Sequence, residues 1–248
     1  MLVQRTIFAL CVLLCQLLLP TISNTSQLFD IGESNNNAPT TIPTVTMVDD
    51  RIELQIVNNF LTESECEQLI NDAHINYQPS LLVGDDNPIL HSGRTSTSAE
   101  LKPHDNELIQ SIEQRIAEFA DVDISQLEAL QLIHYDDTQF IKPHYDYFTV
   151  KKAKSVANQR HYTMLVYLNT VQSQYGGGTQ FVRLNHTIQP VQGTAVLWRN
   201  VYNISTPDKL TLHQALPVYN TVKYVLSAWI KFQPDTYRTL YDKHKQVE

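Results

Sequence analysis

From Arg51 onward the chain moves between two hydrophobic rhythms. Ile52, Leu54 and Ile56 are separated by single polar residues, the period-two pattern of a half-buried strand. Thr62-Glu63-Ser64-Glu65 has the spacing of a capping box, and Cys66, Leu69, Ile70 and Ala73 follow at helical intervals. This predicts a helix that opens after Thr62 and carries one apolar face. Leu108, Ile109, Ile112, Ile116 and Phe119 predict a second helix. Beyond Leu127 the rhythm shortens into extended runs: Leu130 to Tyr135, Tyr162 to Leu168, Gln180 to Leu184, Thr194 to Trp198 and Tyr224 to Phe232. Short strands after two helices predict a mainly β fold, a sandwich or jelly roll with a helical buttress. No internal repeat points to a solenoid or propeller.

Ahead of Arg51 the pattern differs. Arg5 precedes an apolar run from Ile7 to Leu19, interrupted only by Gln16 and followed by Pro20, Thr21 and Ser23. That order is expected of a secretory signal peptide over 1–23, the run being short for a membrane span of about 20 residues. Retention as a membrane anchor is the alternative. From Asn24 the composition turns to Asn, Thr, Ser and Pro, which predicts a disordered linker over 24–50. A support region over 51–126, a β domain over 127–232 and a tail over 233–248 complete the expected organisation. The leader implies a secretory-pathway location, whether ER lumen, periplasm or exterior.

The 248 residues are 42% hydrophobic, enough for one sizeable core. Acidic residues outnumber basic ones 26 to 18, for a formal charge of -8, so no basic field exists to attract nucleic acid. Cys11 and Cys15 fall in the leader, leaving Cys66 as the single thiol of the expected mature chain. An internal disulfide is excluded there, and Cys66 is read as a small buried apolar residue. Sequons stand at Asn24, Asn185 and Asn203.

The chemistry concentrates in Gln139-Phe-Ile-Lys-Pro-His144-Tyr-Asp146-Tyr-Phe148. A histidine and a carboxylate two apart in an extended stretch face the same side. With a second histidine they would form a two-His, one-carboxylate triad, which leaves metal positions open and suits non-heme ferrous oxygenases. By itself His-x-Asp is weak among nine histidines and 26 acids. The segment Thr211-Leu-His213-Gln-Ala-Leu-Pro217 supplies the second histidine, and Lys223 follows ten residues later in the apolar run to Ile230. Period two puts Lys223 on one face with Val225, Ser227 and Trp229. An ammonium in a barrel interior is costly unless an anion meets it. Either a core Asp or Glu would serve, or the distal carboxylate of 2-oxoglutarate, whose other end chelates iron.

Taken together, the ordered motifs resemble the catalytic domain of prolyl 4-hydroxylases, within the ferrous-iron and 2-oxoglutarate dioxygenase superfamily. They are Phe60-Leu-Thr-Glu-Ser-Glu-Cys66, Arg94-Thr95-Ser96, Glu128, Tyr135, Pro143-His144-Tyr-Asp146-Tyr-Phe148, Arg160, Tyr167-Leu168-Asn169, Gly177-Gly178-Thr179, Trp198-Arg-Asn200 and Asp208-x-x-Thr211-Leu-His213. The resemblance implies a double-stranded β-helix (jelly roll) core. It makes His144, Asp146 and His213 the iron ligands and Lys223 the partner of 2-oxoglutarate, with Tyr135, Thr179 and Trp229 on the same wall. It assigns Arg94, Ser96, Glu128 and Arg160 to a peptide groove. Fe(II), 2-oxoglutarate as co-substrate and L-ascorbate are the implied cofactors, and C4 of a proline in a peptide or protein the implied target. Six positions depart from the family pattern: Thr138 stands for a glycine, Ile141 for a tyrosine and Leu216 for a cysteine. Thr221 replaces a glycine, Tyr224 a tryptophan and Lys231 a histidine.

Other readings follow from the same residues. The site would serve equally to oxidise another residue or a free small molecule. A secreted binding protein on this fold is a second alternative, against which the intact His144, Asp146, His213 and Lys223 argue. A structural zinc site is disfavoured, because such sites take four protein ligands and only Cys66 is at hand. The remaining histidines receive no role, His134 and His161 being expected to pack or hydrogen-bond on strands beside the site.

Overall fold

The computed structural model describes residues 42–73, 77–83, 88–89, 92–148, 158–203 and 206–232. The expected leader and tail, the Asn24 sequon, and His74, His91 and His244 lie outside the described residues. Ten strands and helices open the chain's order: β1 (Thr44–Asp49), β2 (Leu54–Asn58), α1 (Glu63–Ala73), β3 (Gln78–Pro79), β4 (Leu82–Val83), β5 (Pro88–Ile89), β6 (Thr97–Glu100), α2 (Glu107–Ala120), β7 (Gln131–Tyr135) and β8 (Ile141–His144). There follow β9 (Arg160–Tyr167), β10 (Thr179–Phe181), β11 (His186–Ile188), β12 (Ala195–Arg199), β13 (Val201–Asn203), β14 (Thr206–Pro207), β15 (His213–Ala215) and β16 (Lys223–Lys231).

Two antiparallel sheets make the jelly roll. The larger has eight strands in the order β1-β2-β12-β9-β16-β7-β6-β3, and the smaller has four, β11-β10-β15-β8. Period-two alternation divides the side chains of the large sheet between two cores. On its back, Leu132, Met164, Val166, Leu226, Ala228 and Ile230 pack with Leu69 of α1 and with Ile112 and Ile116 of α2. On its front, Ile133, Tyr135, Tyr167, Val196, Trp198 and Val225 meet Ile141, Phe181, Ile188 and Ala215 of the small sheet. Each such aliphatic side chain removed from water contributes about 1.5–3 kcal/mol.

The capping box forms as the spacing predicts. Thr62 Oγ1 accepts from the Glu65 amide at 3.2 Å, and Glu65 Oε2 accepts from the Thr62 amide at 2.8 Å. The same Glu65 pairs with Arg115 of α2 at 2.6 Å, tying the two helices together. Gly193, at φ +74°, accepts from the amides of both Phe60 and Leu61. A Cβ there would stand 2.3 Å from the Leu61 carbonyl oxygen, so the turn before β12 accepts no larger residue. Cys66 is fully buried, and burial pushes its thiol up to about 12.

Three expectations change. Thr44–Asp49, placed in the linker, forms β1 and pairs antiparallel with β2, because Val45 and Thr46 gain ladder partners in Val57 and Ile56. No structural border separates 51–126 from 127–232: β2 hydrogen-bonds to β12 and β6 to β7, so the support region supplies strands of the roll itself. The run Gln180 to Leu184 is a strand only at Thr179–Phe181, after which residues 182–184 curl into a 3-10 turn.

Thr138, where the family pattern has a glycine, sits at φ +64° in the turn between β7 and β8. A β-branched residue in the left-handed region costs roughly 1–2 kcal/mol. Its amide is committed to the Val218 carbonyl at 2.7 Å, so the turn cannot relax by moving away. Thr138→Gly is therefore expected to stabilise the protein by about 1 kcal/mol, raising the melting temperature by ~2–4 °C. Calorimetry of the two proteins checks this, and an unchanged or lower midpoint would show that the turn carries no strain.

Candidate active site and metal centre

The site lies at one mouth of the roll, where the small sheet meets the large one. β15 pairs antiparallel with β8 in a register that sets His213 directly opposite His144, and their rings stand 4.3 Å apart between centroids. β8 ends at His144, so Asp146 is held by the bend that follows rather than by strand alternation. Its carboxylate nevertheless turns back: Oδ1 lies 3.6 Å from His144 Nε2, and Oδ2 lies 3.7 Å from His213 Nε2. One ligand atom from each of the three residues falls within 4.8 Å of the others.

The donor set fits a divalent metal. His144 Nδ1 is 2.9 Å from the Lys142 carbonyl and His213 Nδ1 is 2.9 Å from the Thr211 carbonyl. A carbonyl can only accept, so each ring carries its proton on Nδ1 and turns a free Nε2 lone pair to the centre. Burial, with His144 alongside, pushes His213 down to about 4, keeping it neutral. Burial works against ionisation of Asp146, but His213, His144 and Arg160 overcome it and hold the carboxyl well below the usual range. Three protein ligands on one side leave the other side open to a cavity of about 640 Å³.

Lys223 lies in the same cavity, at the start of β16 and opposite Tyr135 of β7. It shares its face with Val225, Ser227 and Trp229, which also line the cavity, as period two predicts. It is 1% exposed and donates to the Gly177 carbonyl at 2.6 Å, with the rings of Tyr135 and Tyr167 at 5.2 and 5.6 Å. Among the described residues no carboxylate pairs with it. Asn169 fixes its backbone from both sides, donating to the Val222 carbonyl and accepting from the Tyr224 amide. Gly177, at φ +70°, could not carry a Cβ, which would meet Val218 at 2.7 Å.

The remaining predicted residues divide. Tyr135, Thr179, Trp229, Arg94 and Arg160 line the cavity. Thr179 Oγ1 accepts from the Tyr167 hydroxyl at 2.9 Å. Arg160 is sandwiched between Trp229 at 3.8 Å and Phe148 at 4.6 Å, and Glu128 grips it with bonds of 2.9 and 2.8 Å. Glu128 is thus committed to Arg160 and does not itself line the cavity. Ser96, expected in the peptide groove, is 2% exposed, donates to Ser80 at 3.0 Å and accepts from Arg94 Nε at 3.4 Å. His134 stacks on Tyr224 at 4.6 Å and His161 on Phe232 at 4.0 Å, the packing roles expected of them.

Sequence reasoning passed over Thr163 and quoted Trp198, Asn200, Tyr167 and Asn169 only as parts of motifs, without a role; Thr163, Asn200 and Trp198 stand behind Asp146, and Tyr167 and Asn169 around Lys223. The signal was a polar residue inside an apolar strand: Thr163 within His-Tyr-Thr-Met-Leu-Val-Tyr, and Asn200 directly after Ala-Val-Leu-Trp-Arg.

A family model described as the 2OG-Fe(II) oxygenase superfamily matches residues 130–231. Probable prolyl 4-hydroxylase 3 of Arabidopsis thaliana is 30% identical over 196 residues, which cover 71% of this chain and 68% of that protein. The chain belongs to the prolyl 4-hydroxylase family of 2OG-Fe(II) oxygenases. The human prolyl 4-hydroxylase subunit alpha-3 is 26% identical over 226 residues, 88% of this chain, and the chain spans 41% of that subunit's length. The crystal structure of a viral collagen prolyl hydroxylase from Paramecium Bursaria Chlorella virus-1, a 2OG complex, has a TM-score of 0.60 and 26% identity, covering 73% of this chain and 96% of that one. Membership of the family, with the His-Asp-His cluster, makes Fe(II) and 2-oxoglutarate the cofactors of this prolyl 4-hydroxylase family member.

Burial pushes Lys223 down to about 7 from an ordinary 10.5. Between those values the unfolded chain holds a proton that the ligand-free folded enzyme has released, so folding stability from this group rises with pH across the window. The cost of the buried ammonium is fully present below about pH 7. Lys223→Met is expected to stabilise the ligand-free protein near neutral pH, by an amount that shrinks towards pH 10. Urea unfolding of both proteins at a series of pH values reads the difference, and a gap that does not change with pH would show that the lysine is already neutral or paired.

Proposed function

We propose that the enzyme hydroxylates peptidyl proline at C4 with Fe(II), 2-oxoglutarate and dioxygen, one oxygen atom going to the proline and the other to succinate as carbon dioxide is released. The observation that carries this reading is one cavity holding both a three-ligand cluster suited to a metal and a buried lysine with no carboxylate partner among the described residues. His144 and His213 hold the iron through Nε2 and Asp146 through a carboxylate oxygen. With dioxygen as the oxidant and 2-oxoglutarate as the two-electron reductant, bound iron would supply the chemistry that takes hydrogen from an unactivated carbon. The chain's own part is to bind, orient and exclude water. Lys223 anchors the distal carboxylate of 2-oxoglutarate, between Tyr135 and Thr179, and Asn169 keeps that anchor in register. Ile133, Leu165 and Val225 give the cavity an apolar wall.

The peptide lies over Arg94, Arg160 and Trp229. Arg160, fixed by Glu128 and stacked between two rings, offers a rigid planar edge, and aromatic surfaces suit the extended, preformed conformation of proline-rich segments. L-ascorbate acts as the reductant that restores oxidised iron. The leader over 1–23 directs the enzyme into the secretory pathway. The intact site does not favour a binding protein that has lost turnover.

Purified enzyme incubated with ferrous iron, ascorbate, 2-oxoglutarate and a proline-rich peptide is expected to yield succinate together with a peptide mass gain of one oxygen. Both are lost in His144→Ala. Lys223→Met weakens 2-oxoglutarate binding, and in the parent that binding declines above about pH 7 as the ammonium is lost, by up to about tenfold per pH unit. Succinate without modified peptide would keep the cofactors and remove proline as the target. No succinate under any of these conditions would remove the oxygenase reading.

A further inference from the structure

Behind the metal site, away from the cavity, three buried side chains form a hydrogen-bonded line that ends on Asp146. Trp198 Nε1 donates to Asn200 Oδ1 at 2.8 Å, Asn200 Nδ2 donates to Thr163 Oγ1 at 2.8 Å, and Thr163 Oγ1 donates to Asp146 Oδ2 at 2.8 Å. Trp198, Asn200 and Thr163 are 0% exposed and Asp146 is 8% exposed. The direction of every bond follows from chemistry alone. An indole N–H can only donate, so it must meet the amide oxygen, which fixes the orientation of the Asn200 amide. The amide nitrogen then faces Thr163 and donates. Thr163, having accepted, is left with its own proton, and a carboxylate can take it.

We infer that Trp198, Asn200 and Thr163 act as a positioning relay that sets the rotation of the Asp146 carboxylate for metal binding. The inference rests on His144, Asp146 and His213 being the metal ligands. A carboxylate rotates readily about its last torsion, an sp³–sp² bond with a broad, roughly two-fold profile. Asp146 needs such a restraint more than either histidine, because each imidazole is already locked through Nδ1 by a carbonyl of its own strand or turn. It also sits past the end of β8, where no ladder restrains it. The hydroxyl of Thr163 occupies one lone pair of Oδ2 and leaves the others directed between the two Nε2 atoms. Trp198 acts on the second side as well: its ring meets the His213 ring edge-on at 4.8 Å. One residue of β12 therefore restrains two ligands, one by packing and one through two intermediates. Cross-strand register makes this possible, since Trp198 of β12 stands directly opposite Thr163 of β9.

The test is Co(II) affinity of the metal-free enzyme, followed by the visible absorption of the bound ion. Thr163→Val keeps the shape and deletes the donor, while Thr163→Ser keeps the donor. Thr163→Val is expected to raise the Co(II) dissociation constant by about 10–100-fold, the range seen when a hydrogen-bond partner of a metal ligand is removed. It should also shift the Co(II) absorption, and Thr163→Ser should restore both. Thr163→Ala is carried in parallel because valine leaves the buried Oδ2 facing a methyl group. Parental affinity and spectrum in either folded variant would overturn the relay. So would loss of cooperative folding in both Val and Ala with Ser folding normally, because the hydroxyl would then belong to folding and not to the metal site. If the parent itself shows no saturable Co(II) binding, the metal-site reading fails, which is a separate result from a parent that binds and a variant that binds equally well.

Discussion

The pairing of two very short strands, β8 and β15, is the constraint on which the site depends. They lie far apart along the chain, and neither would hold as an isolated ladder. They pair because Ile141 and Ala215 at one end of that ladder are buried against the front core of the large sheet. Register then follows from burial: a slip of one residue would send Ile141 to solvent and bring Lys142 inward. A one-residue shift in the ladder between Ala215 and His213 then sets His144 against His213. A metal site built this way inherits its geometry from apolar packing, with the ligands placed before any ion arrives.

Placing charged groups in such an interior works against stability. Asp146 and Lys223 are both buried, and each is charged for its expected role. Asp146 is compensated within the protein by the Thr163 hydroxyl and the field of Arg160. Lys223 is compensated only by a carbonyl and two aromatic faces. The contrast separates the two ends of the cavity: one is satisfied by groups of the chain, the other becomes satisfied when a dianionic co-substrate enters. The back of the large sheet, sealed by α1 and α2, supplies the apolar burial that offsets this cost.

Much of this was legible in the sequence. The central strands β7, β9, β12 and β16 announce themselves because both of their faces are covered, making long apolar runs, and both helices show their period and the first its cap. The ligands could be read because His-x-Asp, a distant His and an inward lysine form a set that packing alone does not require. Strands β3, β5 and β14 could not be read, each being two residues long and containing a proline. β1 was hidden by a polar composition suited to an edge. Ser96 and Glu128, read as groove residues, each hydrogen-bond an arginine that lines the cavity. Thr163 and Asn200 passed unassigned because each is ordinary in type, and only the three-dimensional line connecting them to Asp146 gives them significance.

Cys66 has a wider consequence. It is the only thiol among the described residues, it is buried on the inner face of α1, and burial keeps its proton in place far above neutral pH. The roll therefore holds together without any covalent cross-link and exposes no thiolate to exchange with its surroundings. Among the described residues no thiol–disulfide chemistry bears on the fold, so it would stand unchanged among glutathione or in an oxidising lumen.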